Sequence, residues 1–241
     1  MSLELQEIVE INENQGYILT KLEMKRTWYD SQLKFQNLKR FKPNNIDPSE
    51  PDYEYVWKPW TIFQNIANRG KILATDKHDT VNIIPNADFV FKTVDHSYLH
   101  NTYIFEGSEN ALQFDREWEI EWLCDFHMEW YPFDSQSCTM QLRNQYSSID
   151  LVPANLAYTG AKELPQHYVR DVKMCSKTVK GDQGIVIEVI LGRPIFSSFM
   201  TTTLPTAMLI IISQLATAFA KDYLDMVIQV NLTVLLVLAT L

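Results

Sequence analysis

Cys124 and Cys138 are the residues whose spacing first suggests chemistry. Thirteen residues lie between them: Asp-Phe-His-Met-Glu-Trp-Tyr-Pro-Phe-Asp-Ser-Gln-Ser. A bridge closing such a loop stabilises by about 3 kcal/mol through chain entropy, and it requires an oxidising compartment. Cys175 is expected to be a free, partly buried thiol, with a bridge to another chain as the alternative. Near the C-terminal end, Asp222 and Asp225 stand between two uncharged apolar runs, residues 194–220 and 226–241. Carboxylates beside membrane-length runs should face water rather than lipid. His96 and His100 are four apart in a strand or loop region. That spacing does not put them on one face there, so no metal site is expected. No Ser-His-Asp, Cys-His, phosphate-loop or zinc-protease pattern stands out. Neither an enzyme activity nor a cofactor is expected.

The elements that would hold these residues are of two kinds. The chain has 241 residues, 46% of them hydrophobic and 12% aromatic, with a mean hydropathy of −0.17. That hydropathy averages an acidic, strand-rich part and a strongly apolar end. The net charge of −9 argues against nucleic acid, which needs clustered basic charge. The first apolar run holds Leu209-Ile210-Ile211-Ile212 and exceeds the roughly 20 residues a membrane helix needs. Buried core helices are the competing reading. The second run ends without a polar tail, and no apolar leader opens the chain. The reading is of a chain cut short after its second membrane helix, its leader removed.

Before Arg193 the pattern is mostly strand. In Glu117-Trp118-Glu119-Ile120-Glu121-Trp122 the apolar residues fall on one face and the glutamates on the other, as in a half-buried antiparallel strand. Residues 184–191 form a more apolar strand, with residues 169–173 as partner across a turn at 180–184. Pro43, Pro48 and Pro51 mark a loop. Asn231-Leu232-Thr233 matches a glycosylation pattern but falls in a membrane helix and is set aside.

Around Tyr131-Pro132-Phe133-Asp134 the cysteine-flanked segment resembles the signature loop of the Cys-loop receptors, the pentameric ligand-gated ion channels. Trp28-Tyr29-Asp30-Ser31-Gln32-Leu33-Lys34-Phe35 resembles a strand of that family. Val56-Trp57-Lys58-Pro59 resembles another of its motifs, though Trp60 replaces the family's acid. Arg193-Pro194 and Leu204-Pro205 match the opening and the proline of its first membrane helix. The resemblance implies a Cys124–Cys138 disulfide. It implies a mainly β, immunoglobulin-like extracellular sandwich of about ten strands over residues 1–192. A helical transmembrane domain would follow from residue 193, with a first helix at 194–220 and a pore helix at 222–241.

The implied assembly is a homopentamer, four further subunits joining each chain, in the plasma membrane. Residues before Arg193 would be extracellular and the chain multi-pass, in contact with lipid, a small-molecule agonist and permeant cations. The anion-channel Pro-Ala pair is missing before the pore helix, which favours cations; an anion-selective member is the alternative. At about 100° per residue Asp222, Asp225, Gln229, Leu232, Thr233, Leu236 and Thr240 share one sector, and Asn231 points away. A polar stripe should face water, with Leu232 and Leu236 as the hydrophobic constriction. Counting from Pro205 instead puts Leu235 at the centre and Asp225 at the intracellular ring.

The family's aromatic agonist cage is largely missing here. Gln64, Gln145 and Glu23 replace expected aromatics, and the capping hairpin at 175–184 has no vicinal cysteines and no tyrosine. Acetylcholine is not supported. A pocket lined by Phe63, Gln64, Gln145 and Tyr146, with Glu23 from the neighbouring subunit, is the expectation. Ordinary surface strand residues are the alternative. Arg193 is expected to pair with Asp134, with Tyr131, Pro132 and Phe133 as the tip that passes motion to the pore. The alternative has Asp134 capping its own turn and Arg193 anchoring at headgroups. Beyond the channel reading stand two others: a soluble or non-conducting ligand-binding homologue, and an unrelated secreted β-sandwich enzyme or lectin. The last cannot explain the cysteine loop and Arg193-Pro194 together.

Overall fold

A computed structural model describes residues 1–40, 42, 44–67, 80–90, 93–95, 102–146, 149–219 and 224–240. Asp222, His96 and His100 lie outside them. Among the described residues, thirteen strands precede the helices. They are β1 (Ser2–Asn12), β2 (Tyr17–Trp28), β3 (Lys34–Gln36), β4 (Asn44–Ile46), β5 (Thr61–Phe63), β6 (Val81–Ile84) and β7 (Thr93–Asp95). Then come β8 (Thr102–Glu106), β9 (Ala111–Leu123), β10 (Ser135–Asn144), β11 (Asn155–Tyr158), β12 (Tyr168–Val179) and β13 (Asp182–Gly192). The chain divides into two compact units. One comprises Met1–Phe126, Ser137–Ala161 and Asp171–Val189; the other comprises His127–Gln136, Lys162–Arg170 and Ile190–Leu241.

The strands form a six-stranded sheet in the order β11-β1-β2-β9-β6-β4 and a four-stranded sheet in the order β12-β13-β10-β5. A small sheet follows the order β3-β8-β7. In the first unit, the β2–β9 register sets Ile18 opposite Trp122, Thr20 opposite Ile120 and Leu22 opposite Trp118. These six residues are buried, as strand alternation requires. Trp122 Nε1 donates to Thr20 Oγ1 at 2.9 Å, which satisfies the one polar group of a fully buried indole. Phe63 on β5 meets Trp118 and Trp122 edge-on, with ring centroids 5.3 and 5.5 Å away. The two larger sheets therefore share one sandwich core, and Met140, Leu142, Ile185 and Ile187 line its other side.

The opposite face of β1, β2 and β9 carries the acid. Glu4, Glu23 and Glu117 form one cross-strand row, and Glu7, Lys21 and Glu119 form another. Lys21 Nζ reaches Glu7 at 3.3 Å, and Lys25 Nζ reaches Glu23 at 3.4 Å. Like charges placed directly opposite are unfavourable, and the lysines offset part of that repulsion.

The expected hairpin is present and longer than expected. β12 and β13 lie side by side, and Lys180 and Gly181 between them both have positive φ, 50° and 94°. Two left-handed residues in a row make the tight turn that matches strand twist. Cys175 is exposed rather than partly buried: β12 is the edge strand of its sheet, with β13 as its one neighbour there among the described residues.

In the second unit the chain enters α1 (Ile195–Ser198), passes a π-helical turn at Phe199–Thr203, and continues as α2 (Leu204–Phe219). Pro205 explains the wide turn: it lacks an N–H and its ring crowds the carbonyl one turn back. The 21 residues Ile195–Leu215 are long and apolar enough to cross a membrane, with a mean hydropathy of 1.7 in their most apolar 18-residue window. Met208, Ile210, Ile211, Ile212 and Leu215 are all at least half exposed, a surface that suits hydrocarbon. α3 (Leu224–Thr240) follows.

Candidate functional site

Cys124 and Cys138 are joined, with Cα atoms 5.2 Å apart, and both are buried. The strands that deliver them, β9 and β10, are pinned by one amide. Asn65 Nδ2 donates to Leu123 O and Thr139 O, its Oδ1 accepts from Gln141 N at 2.9 Å, and its own carbonyl accepts from Leu123 N. Four bonds from one residue substitute for ladder bonds where the two sheets part. Asn65→Ala is expected to lower the free energy of unfolding by about 1–3 kcal/mol, because backbone groups of β9 and β10, two of them partly buried, lose their partners. An unchanged denaturation midpoint would show that water replaces the amide.

In the second unit, His127–Gln136 closes on itself through Gln136. Its Oε1 accepts from His127 N at 2.8 Å and its Nε2 donates to His127 O at 2.9 Å. Turn bonds run from Tyr131 N to Met128 O and from Phe133 N to Trp130 O. The Tyr131–Pro132 peptide is cis. Trp130 and Phe133 stand out from the turn, 77% and 70% exposed.

Behind this tip, Asp134 faces Arg193, both buried. Arg193 Nε donates to Asp134 Oδ1 at 2.8 Å and to Oδ2 at 3.0 Å. Gln136 Nε2 also donates to Asp134 Oδ2. The guanidinium lies 4.8 Å from the Tyr131 ring centroid, and its Nη2 is 3.2 Å from Met128 Sδ. Ser135 Oγ donates to Leu191 O at 3.2 Å, two residues before Arg193. Burial pushes the Asp134 carboxyl up, but hydrogen bonds from Gln136 and Arg193 and the arginine's charge outweigh it and hold the group below the usual carboxylate value. The arrangement is a fixed, desolvated joint between the turn and the residue that opens the apolar helix. Gln136, Met128 and Tyr131 as its partners are not visible in the sequence: their contacts depend on how the turn folds.

The pocket residues separate. Phe63 is a core residue, 8% exposed between Trp118 and Trp122, and does not line a surface pocket. The last position of β5 points inward, so its neighbour Gln64 is the one half-buried at the surface. Gln64 N donates to Gln141 O, and Gln145 N donates to Trp60 O. Gln145 is exposed. Tyr146 joins an aromatic row: its ring lies 6.5 Å from Trp57, which meets Trp28 edge-on at 6.4 Å. Glu23 sits on the acidic face with Lys25. Among the described residues no cluster of His, Cys, Asp and Glu could hold a metal.

On α3, Val234 is buried and Val227, Val230 and Asn231 are half-buried, while Asp225, Gln229, Leu232, Thr233 and Leu236 are exposed. At about 100° per residue, Asp225, Gln229, Leu232 and Leu236 centre opposite Val234. Thr233 Oγ1 bonds back to Gln229 O and Val230 O.

A family model described as the neurotransmitter-gated ion-channel ligand binding domain matches residues 1–169. No curated protein matches the chain.

Proposed function

We propose that this chain, which belongs to the family of neurotransmitter-gated ion-channel ligand-binding domains, is one subunit of a homopentameric cation channel opened by an extracellular small molecule. On this reading residues 1–192 bind the agonist outside the plasma membrane, and residues 193–241 begin the multi-pass, lipid-embedded domain. The observation that carries the reading is the division of α3. Its packed side holds Val227, Val230 and Val234, and its opposite side presents Asp225 and Gln229. A helix with a polar stripe on the far side from its neighbour wants water there. One chain cannot surround water with one helix, and a ring of copies can. Asp225, with Asp222 beside it in sequence, would be repeated five times at the mouth and favour cations. Leu232 and Leu236 would form the constriction.

Arg193 and Asp134 would couple the two ends. The buried pair supports a rigid connection from the cysteine-bridged turn to the first helix, with Phe133 as the protruding contact. The agonist site would use Gln64, Gln145 and Tyr146, with Glu23 supplied by the adjacent subunit. Current recorded from the full-length protein in a bilayer during a ligand screen tests the reading. The reversal potential is expected to follow sodium or potassium. A potential that follows chloride would overturn cation selectivity, and agonist binding without current would leave a non-conducting homologue.

A further inference from the structure

The Ser213 hydroxyl on α2 donates to Asn231 Oδ1 on α3, a pair that is partly buried within two otherwise apolar surfaces. Asn231 lies about 60° from Val234 around the helix, on the packed side and away from the polar stripe. We propose that Ser213 and Asn231 are a positioning pair that sets the rotation of the pore helix, so that Gln229 and Leu236, rather than Leu235, face the pore. The proposal rests on the reading of α3 as a pore helix and goes beyond it by naming what fixes its face.

The physical case is a comparison of forces. Val227, Val230 and Val234 supply α3's apolar contact with its surroundings, and Leu232, Leu235 and Leu236 cover much of the rest. Apolar contact is non-directional, and in lipid there is no hydrophobic drive that prefers one apolar face to another. Turning α3 by one residue, about 100°, so that Leu235 took the place of Leu236, would bring Gln229 and Thr233 round to the side that Val230 and Val234 now hold. The same turn would carry Asn231 away from Ser213 on α2 and leave its amide without the hydroxyl. Thr233 does not oppose such a turn, since its own hydroxyl is satisfied by the backbone of α3. The directional bond therefore adds to the polar stripe in distinguishing the two registers, as a single buried asparagine does in helix pairs.

The test is thiol accessibility in the full-length protein, in a Cys175→Ser background that removes the exposed native thiol. Gln229→Cys, Leu235→Cys and Leu236→Cys are each combined with no further change, with Ser213→Ala, with Asn231→Leu, and with the exchange Ser213→Asn plus Asn231→Ser. Modification by a charged, water-borne thiol reagent is the readout. Without further change, positions 229 and 236 should react faster than 235. Breaking the pair should raise the rate at 235 and lower it at 236 by about threefold to tenfold, the size of one interhelical hydrogen bond. The exchange should restore the original order, which loss of packing alone would not. Unchanged rates in both broken variants would overturn the proposal. Equal, slow rates at all three positions before any break would instead overturn the pore reading. If Asn231→Leu fails to assemble, Ser213→Ala carries the comparison, since it removes one hydroxyl.

Discussion

Arg193→Gln is expected to cost about 3–5 kcal/mol at neutral pH, the usual penalty for stranding one partner of a buried ion pair. The Asp134 and Arg193 side chains are 3% and 4% exposed, so neither charge can turn to water without opening the turn. The penalty should depend on pH in a way that identifies its cause. In the intact protein the Asp134 carboxyl is held below its usual value, so the stability it contributes is complete above the ordinary carboxylate range and is lost as pH falls through the lowered value. In Arg193→Gln the arginine's charge is gone and burial is opposed only by hydrogen bonds from Gln136 and the backbone, so the carboxyl should protonate at higher pH. Its cost should therefore shrink as pH is lowered towards about 4. Asp134→Asn strands the arginine instead, which cannot neutralise itself, and its cost should not relax on acidification. Unfolding measured for both variants at neutral and mildly acidic pH separates the two behaviours. A double-mutant cycle on agonist opening addresses coupling. An interaction energy above about 0.5 kcal/mol supports it, and additive effects with intact assembly reject it.

The alternation of Trp118, Ile120 and Trp122 with glutamates was readable because a strand buried on one face writes its period directly into the sequence. The β12–β13 hairpin was readable from the apolar run at 184–191 and the turn residues before it, Gly181 among them. Both are long strands. β3, β4, β5 and β7 are three residues each, too short to show a period; the figure of about ten strands came from the resemblance, and thirteen are present among the described residues. Phe63 fell on such a strand, and nothing local says that its ring turns inward towards Trp118 and Trp122. Asn65 is harder still: its partners are 58 to 76 residues away, and an asparagine in a loop looks like any turn residue. The pairing of Asp134 with Arg193 was anticipated through resemblance, since 59 residues separate them and neither carries a local signal. Ser213 lies inside an uncharged run, where a serine is unremarkable until the partner helix is in place. Periodicity did put Asn231 off the polar stripe, but it could not name what it meets.

Replacing both Cys124 and Cys138 with serine is expected to lower stability by about 3 kcal/mol, the chain-entropy value for a closed loop of about 15 residues. In a chain of this size that corresponds to a fall of about 6–12 °C in the thermal midpoint. The loss should fall mainly on the unfolded state, because the folded positions of β9 and β10 do not depend on the bridge alone. Asn65 bonds to both strands, so the sheet should keep its register when the sulfur link is gone. Combining the serine pair with Asn65→Ala should therefore cost more than the sum of the separate changes, since either restraint can hold the strands while the other is absent. Burial adds a kinetic consequence. Cys124 and Cys138 are 6% and 1% exposed, whereas Cys175 is exposed and unbridged. One thiol per native chain should react quickly with a soluble reagent, and reductant should reach the bridge only as fast as the strands open. Cys175→Ser should remove the fast reaction and leave the midpoint where it was. A serine pair that melts with the parent protein, or three fast thiols in unreduced native protein, would contradict the bridge as a stabilising link.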